Sequence, residues 1–344
     1  MASLECRWGI LGAGNIAKKF VNDLILRANP SISHTVQGVA ARDLSKAQQF
    51  AAQFALATPP ACYGSYEELV RDPNVQVVYV ATPHTFHHAH VRLCLENGKH
   101  VLCEKPITIN ALQLKDLIEL AREKGLFLME GMWTRCFPGA IEIRKVIEDG
   151  TLGEIQHIRA DFGEYFPAEL LTPQHRLLDP ALGGGALLDV GVYPLAWVFM
   201  LLYKRNQSTK PKVSSAVVKS EVTGVDETAA ILLQFGRTLA SVSCSFTCNT
   251  GLGVVISGTK GTLVVKEPIY QVGGYSIQTH DGKRSAAEFP FPGFGMHFEA
   301  DHVAECLARG AVESNAVSLD ESLAIMECVD EIRRQNQLIY PGEQ

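Results

Sequence analysis

In the stretch GILGAGNIA, Gly12, Gly14 and Ala17 stand in the spacing G-x-G-x-x-A, directly after an apolar run and at the opening of an amphipathic one. Residues of these types suit the binding of a dinucleotide pyrophosphate. Gly12 permits the tight turn, Gly14 lets the backbone approach the anion, and the small Ala17 lets helix and strand pack closely. The backbone N–H groups at Asn15, Ile16 and Ala17 then face the phosphates, helped by the helix dipole. A glycine-rich turn also occurs wherever a strand reverses into a helix, so context decides: here the motif lies inside a strand–turn–helix, ahead of at least three further β-α units.

The end of the second strand bears on which dinucleotide is bound. A chain selective for NAD usually places Asp or Glu there for the ribose 2′-hydroxyl, whereas VAARDLSK offers Ala41 and then Arg42. Arg42 suits adenine stacking and a 2′-phosphate, with Ser45 and Lys46 nearby, which favours NADP. The alternative is a solvated arginine beside Asp43, which caps the next helix. Two further turns, ATPH (81–84) and CEKP (103–106), close parallel strands at the edge where ligands collect in such sheets. Lys105 therefore faces the cofactor side, or is only a solvated turn residue held extended by Pro106. Downstream, GGGALLDVGVYPL carries Asp189 and Tyr193 four residues apart, on one face of a helix. Four histidines at 84, 87, 88 and 90 raise the question of a metal site. No Asp, Glu or Cys stands among them at ligand spacing, and neighbours on a helix point in different directions, so no metal is expected.

The elements that must position these residues follow from periodicity. RWGILGAG, HTVQGVAARD, QVVYVATP, KHVLCEKP and LFLMEG read as strands, and IAKKFVNDLILR, HHAHVRLCLENG and NALQLKDLIELAREKG as the helices between them. Asn110 and Gly125 suit the two ends of the last helix, and Gly98 closes the one before it. This is the pattern of a parallel sheet covered on both faces. A boundary near residue 130 is expected, dividing the chain into 1–130, with the dinucleotide motif, and 131–344. Beyond the helix PGAIEIRKVIEDG, alternation of period two appears, as in SVSCSFT, and implies an antiparallel sheet with one covered face. Strands are expected at 213–222, 227–235, 253–257, 261–266 and 275–279, and helices near 298–309 and 318–336. The fold class is thus α/β, a Rossmann sheet plus an α+β domain with an open-faced, mainly antiparallel sheet.

Composition narrows the partners. The chain has 344 residues, 47% of them hydrophobic, and a formal charge of −6 with no long basic run, which argues against nucleic acid or an anionic membrane surface. The longest apolar stretch, YPLAWVFMLLY, is too short to cross a bilayer. The start MASLECRWGIL leaves no room for a secretory signal, and nine cysteines without CxxC pairs fit a reducing, cytoplasmic setting. The ligand expected is a small molecule.

Taken together, GAGNIA, ATPHTFHHAHVRLCLENGKHVLCEKPI, GTLGEIQHI and GGGALLDVGVYPL resemble the glucose-fructose oxidoreductase and inositol dehydrogenase family (Gfo/Idh/MocA), over nearly the whole chain. AARDLSKAQQFA, YGSYEELVRDPNVQVVYV and LFLMEGMWTRCFP look closest to its branch of dimeric dihydrodiol dehydrogenases and NADP-dependent D-xylose dehydrogenases. The resemblance implies that Lys105 and Tyr193 are the catalytic pair, that Asp189 supports them, and that the Lys105–Pro106 peptide is cis. It also implies that Thr82, Pro83, His84, His87, Glu104 and Lys105 line the cofactor cleft. It further implies that Trp133 and Arg135 border the substrate, with a core tryptophan the alternative for Trp133, and that 131–344 is a substrate-binding and oligomerisation domain that forms a homodimer through its sheet, with its last helices packing back on the Rossmann domain; His175 and Arg176, in the loop before the triple glycine, are expected at the substrate hydroxyls. Many members carry histidine where Tyr193 stands, and the tyrosine fits the sugar and dihydrodiol branch.

The chemistry agrees with those residues. Removing a hydride from a carbinol carbon requires the hydroxyl proton to leave as well, so a positioned base is needed. A free tyrosine has a pKa near ~10, and a nearby ammonium brings it toward working pH. The expected activity is an NADP-dependent dehydrogenase acting on an aldose or a trans-dihydrodiol. Reduction of a dicarbonyl or keto-sugar is the same chemistry reversed, and a regulator that binds NADP without catalysis is the alternative of another class.

Overall fold

The computed structural model describes residues 4–26, 29–167, 172–203, 210–251 and 253–341. Two compact units result: one from Met1–Thr108, Leu112–Trp133 and Phe291–Leu319, the other from Ile109–Ala111, Thr134–Pro290 and Asp320–Gln344. The chain leaves the first unit after Trp133 and returns to it over 291–319.

In the first unit, strands and helices alternate as β1 (Leu4–Leu11), α1 (Asn15–Ile25), β2 (Ile32–Ala40), α2 (Leu44–Ala51), β3 (Ala61–Tyr63), α3 (Tyr66–Arg71), β4 (Val77–Val80), α4 (His87–Glu96), β5 (His100–Glu104), α5 (Ala111–Lys124) and β6 (Leu128–Gly131). Arg27, expected at the end of α1, lies outside the described residues. The sheet order is β3-β2-β1-β4-β5-β6, and every pair is parallel. That is the order of a Rossmann fold, in which the chain reverses direction across the sheet beside β1. Covering both faces requires strands that are apolar throughout, and all four residues of β4 are buried.

The second unit holds α6 (Pro138–Glu148), β7 (Ile155–Gly163), α7 (Val192–Leu202), β8 (Lys212–Lys219), β9 (Asp226–Phe235), β10 (Thr238–Ser245), β11 (Val254–Gly258), β12 (Gly261–Val265), β13 (Gly274–Thr279) and β14 (Arg284–Glu288). Its sheet order is β14-β13-β12-β11-β7-β10-β9-β8. Neighbours run antiparallel except β7 and β10, which are parallel. Alternation sorts the faces: Ala229, Ile231, Leu233 and Phe235 of β9 and Ala240, Val242 and Cys244 of β10 are buried, and α7 packs on β7 and β10. A π-helical turn, Leu187–Gly191, leads into α7. Together with the preceding turns it makes a run from Pro180 to Leu202 that is long and apolar enough to cross a bilayer by length and composition. The expectation of no such stretch is corrected here. The run is almost wholly buried inside the unit, where it serves as a core helix.

Two late helices complete the chain, α8 (His297–Ala308) in the first unit and α9 (Leu319–Gln335), most of it in the second. α8 packs on β1 and α1. Its start is tied down by Asp23 of α1, whose carboxylate accepts the backbone N–H groups of Phe294 and Met296, the latter at 2.7 Å.

Candidate functional site

At the carboxyl edge of the first sheet the glycine turn is shaped by two different constraints. Gly12 has φ +104°, and a Cβ there would stand 2.8 Å from the Ala81 carbonyl oxygen. Around Gly14 nothing lies within 4 Å of such a Cβ, so the backbone is open on that side. α1 begins at Gly14 with no side-chain cap and no acidic residue in its first turn. Its leading N–H groups are therefore oriented for an anion, and the residues fit a dinucleotide pyrophosphate. At the end of β2, Arg42 is exposed. Asp43 caps α2: it accepts the Ser45 hydroxyl at 2.7 Å and the Lys46 N–H at 2.9 Å. These bonds, Ser45 first, hold its carboxyl down to about 2. Of the three residues expected at a 2′-phosphate, Ser45 and Lys46 are engaged by Asp43.

The turns after β4 and β5 are joined by one histidine. His87 is fully buried, with Nδ1 2.8 Å from the Pro106 carbonyl oxygen and Nε2 2.7 Å from that of Thr82. Burial pulls its pKa down to about 4, against both carbonyls, which favour the protonated ring. The bond Lys105–Pro106 is cis, and Lys105 is half-buried at this turn. Glu104 is 7% exposed and accepts the Tyr79 hydroxyl and the Lys105 N–H, so its carboxylate faces the core and braces the turn from beneath. Pro83 is exposed and His84 half-buried in the short 3-10 turn before α4. The remaining histidines are spread over separate partners: His88 meets Asp116 at 2.7 Å, and His90 meets the Thr82 hydroxyl at 2.9 Å. Glu130, which sequence reasoning passed over, accepts the Ile107 N–H at 3.1 Å and fixes the residue after the turn. Its signal was a carboxylate inside an apolar strand.

In the second unit Asp189 sits within the π-helical turn and is 7% exposed. Arg176 reaches it with both terminal nitrogens, at 3.0 and 3.3 Å. This forked pair fixes the carboxylate in orientation, so Arg176 is joined to Asp189. His175 accepts the Leu177 N–H at 3.3 Å within the same loop. Tyr193 is 8% exposed, and its ring centroid lies 5.6 Å from Phe162 and 6.0 Å from Tyr270. Phe162 and Tyr270 stack at 5.3 Å, so two aromatic rings gather beside the phenol. Neither neighbour was singled out from sequence; each is a lone aromatic in an ordinary strand or loop. Arg135 is 5% exposed and paired with Glu321. That pair holds its guanidinium in place inside the unit. Trp133, at the end of the first unit, is 8% exposed.

A parallel sheet in 3-2-1-4-5-6 order, with an open anion cradle at its first crossover, defines a dinucleotide-binding domain. Residues 6–132 match the Gfo/Idh/MocA oxidoreductase family, NAD-binding Rossmann fold, and residues 140–264 match the C-terminal domain of the same family. The chain is 39% identical to trans-1,2-dihydrobenzene-1,2-diol dehydrogenase of Bos taurus, across 99% of both chains. It is 38% identical to D-xylose 1-dehydrogenase (NADP+) of Hypocrea jecorina, over 97% of this chain and 93% of that one. Among solved structures, aldose-aldose oxidoreductase from Caulobacter crescentus aligns with TM-score 0.83 at 24% identity, over 97% and 98% of the two chains. Levoglucosan dehydrogenase aligns with TM-score 0.85 at 18% identity, over 97% of each. These two show the fold. The chain belongs to the Gfo/Idh/MocA family and is an oxidoreductase.

Proposed function

We propose that the protein is an NADP-dependent dehydrogenase acting on a secondary alcohol or hemiacetal carbon of a small polyhydroxylated molecule, an aldose or a trans-dihydrodiol. When bound, the nicotinamide takes or supplies the hydride. Tyr193 Oη takes the substrate hydroxyl proton as the carbinol C–H bond breaks and returns it in the reverse direction. The Lys105 ammonium favours the phenolate and donates a hydrogen bond to the substrate oxygen, stabilising negative charge there. Asp189, held by Arg176, orients the segment from which Tyr193 projects.

The observation that carries this reading is the forked Arg176–Asp189 pair with Tyr193 four residues on, enclosed by Phe162 and Tyr270. A fixed carboxylate beside an aromatic-walled phenol is an arrangement for proton transfer next to a sugar or ring face. Arg42 at the end of β2, with no carboxylate in its place, supports NADP over NAD. The relatives named for NADP-linked oxidation of D-xylose and of a dihydrodiol point the same way.

A homodimer through the open face of the second sheet accords with the exposure there of Val218 at 61%, Leu232 at 44% and Val264 at 43%. Apolar side chains spread over one sheet face gain from being covered. Leu232→Glu should then shift the sedimentation coefficient to that of a single chain. No disulfide joins cysteines among the described residues, which supports a reducing, cytosolic setting. The deciding experiment is a panel of aldoses, dihydrodiols, dicarbonyls and keto-sugars, followed at the NADPH absorbance and run with NADP and NAD in parallel. Turnover of an aldose or dihydrodiol with NADP supports the proposal. Tight NADPH binding with no turnover of any member would favour a non-catalytic regulator.

A further inference from the structure

We propose that Asp226, on β9, is a positioning residue for this reaction: its carboxylate fixes the turn Gly184–Leu187 and through it the register of Asp189 and Tyr193. The inference rests on the assignment of proton exchange to Tyr193.

Asp226 is fully buried. One carboxylate oxygen accepts the Leu187 N–H, an otherwise unsatisfied donor at the start of the π-helical turn. The other oxygen stands 2.2 Å from where a Cβ on Gly185 would fall, and Gly185 has φ +118°, so this carboxylate is packed directly on the glycine backbone. Gly185 is the junction of the loop and the helix. Its N–H donates to the Leu177 carbonyl at 2.8 Å, and its carbonyl accepts the Asp189 N–H at 3.2 Å. Leu177 follows Arg176, so one residue sets both halves of the Arg176–Asp189 pair, which closes at 3.0 Å.

A second brace acts on the same turn from the chain's end. The Tyr340 hydroxyl donates to the Gly184 carbonyl at 2.6 Å, and the Arg333 guanidinium lies 4.6 Å above the Tyr340 ring. Arg333, on α9, is 5% exposed and donates to the Ile109 carbonyl at 2.9 Å. Burial pushes Asp226 up to about 6, while the Leu187 bond and the Arg333 charge pull it down. The Asp226 charge, after burial, helps push up the Cys244 thiol of β10. An apolar side chain would fill this space without the desolvation cost of a carboxylate. What the carboxylate adds is a direction imposed on the amide of Leu187.

Asp226→Ala, Asp226→Asn, Tyr340→Phe and Tyr193→Phe test the inference with D-xylose, a trans-dihydrodiol and NADP. Turnover is expressed per NADPH-binding site, so that lost folding does not count as lost catalysis. Asp226→Ala should lower kcat at least tenfold with NADPH affinity within twofold, Asp226→Asn should recover most of it, and Tyr340→Phe should cost about threefold. Amide exchange over 184–193 should quicken at least tenfold in Asp226→Ala, with β8 to β10 unchanged; a purely structural role would quicken exchange in those strands as well. If Asp226→Ala fails to bind NADPH, Tyr340→Phe decides alone. Turnover per site and exchange over 184–193 within twofold of the parent in every soluble Asp226 and Tyr340 variant, with Tyr193→Phe inactive, would overturn this inference alone. Full turnover in Tyr193→Phe would overturn the catalytic assignment and, with it, the inference.

Discussion

Replacing Glu299 by Gln should stabilise the protein, and increasingly so as pH rises. Glu299, on α8, is fully buried, and neither carboxylate oxygen has a hydrogen-bond partner. Burial, then the charges of Glu104 and Asp23, push its pKa well above the ordinary carboxylate value. The native state thus keeps a proton that the unfolded chain releases above ~4.3. Unfolding releases that proton, so this group's stabilisation is complete below the unfolded value and is lost as pH rises toward the native one. The slope approaches ~1.4 kcal/mol per pH unit while the native carboxyl stays protonated. Glutamine copies the neutral acid in shape and carries no such linkage, so its advantage should grow as pH rises above ~4.3, for as long as the native carboxyl stays protonated. Urea unfolding of parent and variant at several pH values, read by far-ultraviolet circular dichroism, measures the difference. Parallel pH dependence of the two proteins would refute the reasoning, because it would mean that Glu299 ionises in the native state.

Further outcomes follow from the cradle and the nucleotide end. Gly14→Val meets open space within the protein and should fold normally while abolishing NADPH binding, whereas Gly12→Val meets the Ala81 carbonyl at positive φ and should also lower the melting temperature; fluorescence titration and thermal melts separate the two. Arg42→Ala should raise the KM for NADP about ten- to a hundredfold, the ~1.5–3 kcal/mol of a charge-assisted hydrogen bond, and leave that for NAD nearly unchanged, as initial rates with both cofactors would show.

The parallel half of the molecule was legible because its strands are continuous apolar runs and its helices end on glycines. Gly98 and Gly125 adopt φ +74° and +62°, as a helix stop requires. The second sheet was legible from β8 to β13, where alternation is clean, as in β10, or where short apolar runs stand between turns, and two of its strands were missed. β7 mixes His157, Arg159 and Asp161 with its buried residues and was not placed, though it is the central strand. β14 is a short edge strand of largely exposed residues, with no apolar face to announce it. The parallel pairing of β7 with β10 also hid from a pattern that reads only period, since periodicity is blind to strand direction. At the site, the spacing of Asp189 and Tyr193 was visible, but their partners were not. Arg176 lies thirteen positions from Asp189 in the chain and Asp226 thirty-nine from Leu187, and only the fold brings them together. Arg135 illustrates the converse: a cation in a suggestive stretch whose charge is answered by Glu321, distant in sequence.

The most direct test of the central claim is the kinetics of Tyr193→Phe with NADP and the best substrate of the panel. The account predicts a fall in kcat of about 10²- to 10⁴-fold, the usual contribution of a positioned acid–base group, with the dissociation constant for NADPH within twofold of the parent. Unchanged turnover, or equal losses in turnover and NADPH affinity, would contradict it.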